Sequence, residues 1–272
     1  MSSLESIQIC DTPALLIVAK TIRHDNFTPR QGAQGKDAIV SSDRYERALI
    51  VGAGSGLSAS LARLFTKSGL KVALAARSVD DLAALAQEIG GKAYTCDATK
   101  RGDVTKLFAD VEVAGGAPDV VVYNASYRTR GPFVELDPVE VERALMVTAY
   151  GAFLVAQEAA KRMVPHKHGA IMLTGASAGV KGYPQSAPFA MGKFALRGMA
   201  QSMARELQPQ GIHVVHVVVD GGILSSRRPN APDKPDSMLD PDAIAQSYLD
   251  LLRQHRSAWA WEIELRPWLE KF

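Results

Sequence analysis

From position 48 onward, short apolar runs alternate with stretches of helical periodicity, and no other feature limits the fold as tightly. Strands are expected at 48–51, 71–76, 92–96, 119–123, 169–174, 213–219 and 257–265. Helices are expected over 57–68, 79–89, 104–113, 187–207 and 242–252. One further long helix starts on the Asp137–Pro138 cap pair and ends near Met163. Runs such as Val120-Val121-Val122 are apolar without alternation, as strands covered on both faces are. Strand and helix in regular succession make an α/β chain, with one doubly wound parallel sheet of about seven strands and helices on both faces. The stretch 226–241, with Pro229, Pro232, Pro235 and Pro241, reads as a loop.

Residues 1–45 lack this order. They hold Pro13, Pro29, Gly32 and Gly35 and keep no period, so a loosely ordered extension is expected before a single domain over 46–272. The longest uninterrupted apolar stretch, 13–19, is far short of the roughly 20 residues of a membrane span. It also lacks the basic start and length of a secretory leader, and a cytoplasmic location is expected. Lys plus Arg number 31 against 29 Asp plus Glu, with no basic run of the kind that grips nucleic acid or anionic lipid. Cys10 and Cys96 stand far apart and outside any CxxC, which argues against a disulfide framework or a zinc site. His213 and His216 point to opposite faces of one strand, and His166-Lys167-His168 sits in a turn, so no metal is expected.

Between the first strand and first helix stands Val51-Gly52-Ala53-Gly54-Ser55-Gly56-Leu57. Glycines let the backbone turn tightly and approach a pyrophosphate, and the helix N-terminus offers N–H groups and a favourable dipole. In a run of strand-helix units this points to a nucleotide site. The second strand ends in Ala75-Ala76-Arg77-Ser78. A site that accepts the ribose 2′-OH places an acid there; Arg77 instead suits a 2′-phosphate, so NADP(H) is expected over NAD(H).

From these residues onward the chain resembles the compact branch of the short-chain dehydrogenase/reductase family, over positions 48–272. The glycine turn is similar to that family's TGxxxGxG, with Val51 for the Thr and Ser58 for the last Gly, where a side chain is expected to crowd the helix against the sheet. Cys96-Asp97, Tyr123-Asn124-Ala125-Ser126 and Asp220-Gly221-Gly222-Ile223 stand where the family has its adenine-side Asp, its NNAG and its PG beside the nicotinamide. The resemblance implies a Rossmann-type fold. It implies cofactor contacts from Gly52, Gly54, Ser55, Gly56, Leu57, Arg77, Asp97, Ala98, Asn124, Ala125, Ser126, Lys193, Gly221 and Ile223.

The family works with an Asn, a Ser, a Tyr and a Lys. Here the YxxxK positions read Phe189-Ala190-Met191-Gly192-Lys193. The Lys is kept and the Tyr is Phe. The Ser position falls on Ala176, with Ser177 beside it, and the Asn position on Thr148. Tyr183, Tyr127 and Tyr150 are displaced candidates for the missing hydroxyl. The candidate catalytic set is therefore Lys193, Ser177, Phe189, Tyr183 and Thr148. Arg227-Arg228 opens the loop that covers the substrate in the family. It reads as a solvated loop edge, with attraction of an acidic or phosphorylated substrate as the alternative.

The expected function is NADP(H)-dependent oxidation or reduction of a carbonyl or alcohol with a non-standard active site. The alternatives are a nucleotide-binding protein without turnover, acting as a sensor or partner subunit, and an isomerase or lyase on the same cleft. A homodimer or homotetramer is expected, from Gly151 and Ala152 on the long helix and from a Trp259/Trp261 face on the last strand.

Overall fold

The computed structural model describes residues 45–225 and 228–270. The 1–45 extension, apart from Tyr45, lies outside the described residues, as do Ser226 and Arg227.

Seven strands form one sheet in the order β3-β2-β1-β4-β5-β6-β7. They are β1 (Arg47–Val51), β2 (Lys71–Ala76), β3 (Lys92–Thr95), β4 (Val120–Tyr123), β5 (Gly169–Thr174), β6 (Ile212–Val219) and β7 (Glu262–Leu265). Every pair is parallel. Parallel neighbours require crossovers, and helices supply them: α1 (Leu57–Lys67), α2 (Ala83–Glu88), α3 (Arg101–Gly115), α4 (Pro138–Leu145), α5 (Gly151–Met163), α6 (Ala187–Leu207) and α7 (Pro241–Leu252). β4, β5 and β6 are buried along their whole length, which is why they read as unbroken apolar runs.

Two cores result. Leu61 and Phe65 of α1 and Ile244 and Tyr248 of α7 pack on one face. Leu107 of α3, Val155 of α5 and Leu196 of α6 pack on the other. The strand order reverses between β1 and β4, so the chains leaving these two strands part and open a crevice at their C-terminal ends.

Three expectations change. The helix expected over 79–89 shortens to α2 after a 3-10 turn at Asp80–Leu82, where two acids and no side-chain cap start the element. The long helix is interrupted by a π-turn at Met146–Tyr150. There the Tyr123 hydroxyl donates to the Val147 carbonyl, and a Cβ on Gly151 would meet that hydroxyl at 2.6 Å. Gly151 and Ala152 are therefore buried against their own domain and offer no close approach to a partner. The last strand shrinks to β7, and Trp259 lies outside it. Its indole stacks on the His213 ring at 4.7 Å and donates to the Gln254 carbonyl. Trp261 packs on the core beside Arg197. The two indoles are thus covered within the chain.

No helix among the described residues is long and apolar enough to cross a membrane.

Candidate functional site: a dinucleotide cleft and a tyrosine-free centre

Gly52 has φ +81°, and a Cβ there would lie 2.3 Å from the Ala125 nitrogen. The first glycine of the turn is therefore imposed by the close passage of the β1 and β4 exits. A Cβ on Gly54 or Gly56 would meet nothing within 4 Å, so the outer side of the turn is open. No side chain caps the α1 N-terminus, which leaves its N–H groups to a ligand. Ser58 is buried yet does not crowd the helix off the sheet. Its hydroxyl donates to the Gly52 carbonyl at 3.2 Å and accepts from Asn124 Nδ2 at 2.8 Å, tying turn, helix and β4 exit together.

A cavity of about 580 Å³ opens from this turn. Of the residues expected at a cofactor, Gly52, Arg77, Asp97, Ala98, Asn124, Ala125 and Ser126 line it, and Gly54, Ser55, Gly56, Leu57 and Lys193 do not. Thr99, Tyr127 and Val147 line it as well and were missed. Thr99 stood two residues past Asp97 in plain view. Val147 lies in the π-turn, which no sequence pattern marked.

Burial works to raise the Asp97 carboxyl, but bonds from the Thr99 hydroxyl and amide and the charges of Lys100 and Arg77 outweigh it and hold it below the usual range. Arg77 is exposed at the end of β2 and forms no ion pair among the described residues. Open glycines, an uncapped helix, an ionised Asp97 and a free cation suit a dinucleotide. Gly221 and Ile223 leave β6 away from this cavity: Gly221 abuts Pro267, and Ile223 bridges to Leu239.

Lys193 stands on α6 and is only 3% exposed. Its Nζ donates to the Thr174 carbonyl at 2.6 Å. Burial pulls its pKa down to about 8. One turn earlier, Phe189 is buried, with its ring centroid 5.8 Å from Lys193 Nζ. The guanidinium carbon of Arg128 lies 4.7 Å from the same centroid.

Thr148 lies in the π-turn against Gly192, where a Cβ would sit 2.9 Å from Thr148 Cβ. Its hydroxyl accepts from the Tyr127 amide at 3.3 Å, so it fixes the loop after β4. Ser177 opens a short 3-10 turn after β5 and is half-buried. The displaced tyrosines are engaged elsewhere. Tyr183 is exposed beside Lys181, Tyr127 donates to Glu140 and lies under Arg143, and Tyr150 stacks on Phe153. Among the described residues the Lys193 ammonium bonds the Thr174 carbonyl and approaches the Phe189 ring, and it forms no hydrogen bond with any of the three tyrosines. The centre thus holds two cations and a phenyl ring where a phenol is the ordinary acid.

The histidines serve packing. His216 donates from Nδ1 to Glu262 at 2.9 Å, and Arg197 grips the same carboxylate through two bonds of 2.7 Å. Burial lowers the His216 pKa despite Glu262, so the ring is neutral. A Cβ on Gly175 would meet its Nε2 at 2.3 Å, so Gly175 makes room for the ring. No group of three His, Cys, Asp or Glu among the described residues is gathered as a metal requires.

The comparisons with known proteins agree with this architecture. The short chain dehydrogenase family model matches residues 46–234. The chain is 33% identical over 188 residues to a cyclic-di-GMP-binding biofilm dispersal mediator protein of Escherichia coli (strain K12), a match that covers 68% of this chain and 76% of that protein. A short-chain dehydrogenase from Rhodopseudomonas palustris superposes with a TM-score of 0.71 at 32% identity, over 83% of this chain and all of the other. A metagenomic short-chain oxidoreductase in complex with NADP gives 0.71 at 28%, over 82% and 98%. Sheet order, glycine turn and buried α6 lysine therefore sit within a match that spans most of the chain, and the protein belongs to the short chain dehydrogenase family of oxidoreductases.

Proposed function

We propose that the protein is an NADP(H)-dependent oxidoreductase of a carbonyl or alcohol in which the proton moves without the family tyrosine. The observation that carries this reading is Lys193, buried on α6 with its Nζ held at a fixed point by the Thr174 carbonyl, in a chain whose β1 and β4 exits open a cavity lined by Gly52, Arg77, Asp97 and Asn124. A buried amine is costly, and here it repays that cost by bonding the nicotinamide ribose. When bound, NADPH supplies the hydride. The chain's own residues do the rest. The Gly52 turn and the α1 N-terminus hold the pyrophosphate, Asp97 the adenine side, Asn124 supports the turn, and Arg77 faces the 2′-phosphate. Phe189 closes the cleft against water, and Thr148 fixes the loop that carries Arg128.

General acid–base help typically contributes about 10²- to 10⁴-fold, so its reduction slows hydride transfer without forbidding it. NADPH oxidation followed at 340 nm against a panel of aldehydes and ketones tests the reading. Turnover above the protein-free rate is expected. Tight NADPH binding with no oxidation on any carbonyl would favour the non-redox alternative.

Arg77 decides the cofactor. Arg77→Ala should weaken NADPH by about 1–3 kcal/mol, the worth of a charge-assisted contact, and leave NADH nearly unchanged. Fluorescence titration of both cofactors checks this; equal affinities in the unmutated protein would remove the assignment.

Assembly follows from a different face than the sequence suggested. Tyr150 and Phe153 stack at 6.2 Å on the exposed side of the long helix, and Met191 and Phe194 are exposed on α6. Aromatic and Met side chains in such a patch favour burial against a second copy. Light scattering should give a dimer or tetramer of the 29.2 kDa chain, and Phe153→Glu should shift it to monomer.

A further inference from the structure

The cavity beside the glycine turn is lined mainly by residues at the ends of β1, β2, β3 and β4. The carboxyl ends of β5, β6 and β7 make up the other half of that edge of the sheet. Lys193 belongs to this half, because the carbonyl it bonds is that of Thr174, the last residue of β5. Asp220 follows β6 directly and is 3% exposed, the only buried Asp or Glu among the described residues. Its Oδ2 accepts from Arg266, past the end of β7, at 2.8 Å and from Lys181, past the end of β5, at 3.5 Å. Glu264 bonds the same guanidinium, so two acids balance two cations. The Asp220 amide donates to the Leu265 carbonyl at 2.8 Å, and a Cβ on Gly221 would lie 2.7 Å from Pro267 Cδ. One carboxylate thus joins the segments that leave all three strands.

The Lys181 arm leads back to Lys193. The Lys181 amide donates to the Ser177 carbonyl at 3.0 Å and closes the short turn that Ser177 opens. A Cβ on Gly179, within that turn, would lie 3.1 Å from the Lys193 carbonyl oxygen, so the turn packs on α6 at the lysine itself. A buried ion pair adds little stability over apolar side chains of the same volume; what it can fix is one arrangement of the groups around it. Val217, Val218 and Val219 are that apolar alternative, and they stop where the three exits meet.

We propose that Asp220 is a positioning residue: its carboxylate clamps the Ser177 turn through Lys181 and the C-terminal segment through Arg266, and so fixes the β5 side of the cleft around Lys193. The clamp itself stands on these contacts; its bearing on turnover rests on the oxidoreductase reading. A displacement of about 1 Å at a reacting centre can cost on the order of 10²-fold in rate, so a loosened turn is felt in kcat. The glycine turn and Arg77 lie on the other half of the edge and are left as they were.

The test uses the full chain and two readouts. Hydrogen exchange without cofactor follows peptides over 176–183 and 262–270, with 48–62 as the control. Asp220→Asn keeps the shape and removes the charge; it should speed exchange at least tenfold in the first two peptides and leave the control unchanged. Lys181→Met should speed only 176–183, and Arg266→Met only 262–270. Turnover is then measured on the aldehyde and ketone panel, with kcat expressed per NADPH-binding site so that inactive chains drop out. Asp220→Asn and Lys181→Met should each lower kcat at least tenfold with KM for NADPH changed less than threefold. Lys181→Arg should restore most of the rate, and the double variant should be no more than twofold slower than Asp220→Asn, because one contact serves both. If Asp220→Asn does not fold, Lys181→Met, on a partly exposed side chain, carries the same test. Exchange that rises equally in all three peptides, or an unchanged kcat per site in a chain that turns over, would overturn the proposal and keep the redox reading. The arm-by-arm exchange pattern with no turnover in the native chain would keep the clamp and remove the redox reading. Neither the pattern nor turnover would remove both.

Discussion

Lys193→Met is expected to raise the melting temperature of the cofactor-free protein at pH 7 and to destroy tight NADPH binding. The ammonium is buried, and among the described residues its Nζ bonds the Thr174 carbonyl, a dipole and not a charge. Burial pulls its pKa from 10.5 to about 8. The folded chain therefore releases this proton near pH 8, while the unfolded chain keeps it to about 10.5. Below pH 8 both states are charged and the folded state bears the full desolvation cost. Between pH 8 and 10.5 the unfolded state holds more protons, so stability from this group rises with pH.

The shift corresponds to about 3 kcal/mol. Met fills the space without charge but leaves the Thr174 carbonyl unpaired, which costs about 1–2 kcal/mol. A net gain of about 1–2 kcal/mol raises the midpoint by roughly 2–6 °C in a domain of this size. Thermal scans of both proteins check this at pH 7, 9 and 10.5, with and without NADPH. Without cofactor the variant should melt higher at pH 7 and lose its advantage by pH 10.5. With saturating NADPH the order should reverse, because the native chain alone gains the binding energy. A cofactor-free variant that melts lower at pH 7 would show that Lys193 is not a stored cost.

The order of elements was legible because each strand of a parallel sheet is covered on both faces and so announces itself as an apolar run. The glycine turn was legible because backbone geometry, not packing, imposes Gly52. What failed depended on partners distant in sequence. Gly151 read as a place for a second chain, yet it makes room for the hydroxyl of Tyr123, a residue on another strand. Trp259 and Trp261 are two apart, as on a strand face, but Trp259 leaves the sheet to stack on His213. Ser58 read as crowding because its bonds to Gly52 and Asn124 need the fold to exist first.

Phe189→Tyr is expected to increase carbonyl reduction by about 10- to 100-fold, within the range that a placed general acid contributes. The ring is already buried one helical turn from Lys193, with Nζ 5.8 Å from its centroid and the Arg128 guanidinium at 4.7 Å. A phenol put there gains two neighbouring cations, which favour the phenolate and lower its pKa toward a useful range. Ala176 lies in extended backbone directly before the Ser177 turn, so Ala176→Ser adds a hydroxyl at the β5 exit to orient the substrate oxygen, and the double variant should gain more. The opposing account keeps the proton with a displaced group. Under it Phe189→Tyr is neutral or harmful, and Tyr183→Phe or Ser177→Ala abolishes turnover. Tyr183 is exposed, with Lys181 Nζ 5.8 Å from its ring centroid, which favours the first account. Steady-state rates on one carbonyl panel with NADPH saturating separate the two, and the pH profile adds an independent reading. The single variant should acquire a limb set by its new phenol, whereas a displaced donor would leave the profile where it was. A gain with a moved limb means that the cleft keeps the geometry of a working reductase and lacks only the oxygen atom. No gain in either variant would assign the proton to another group or the cleft to another task.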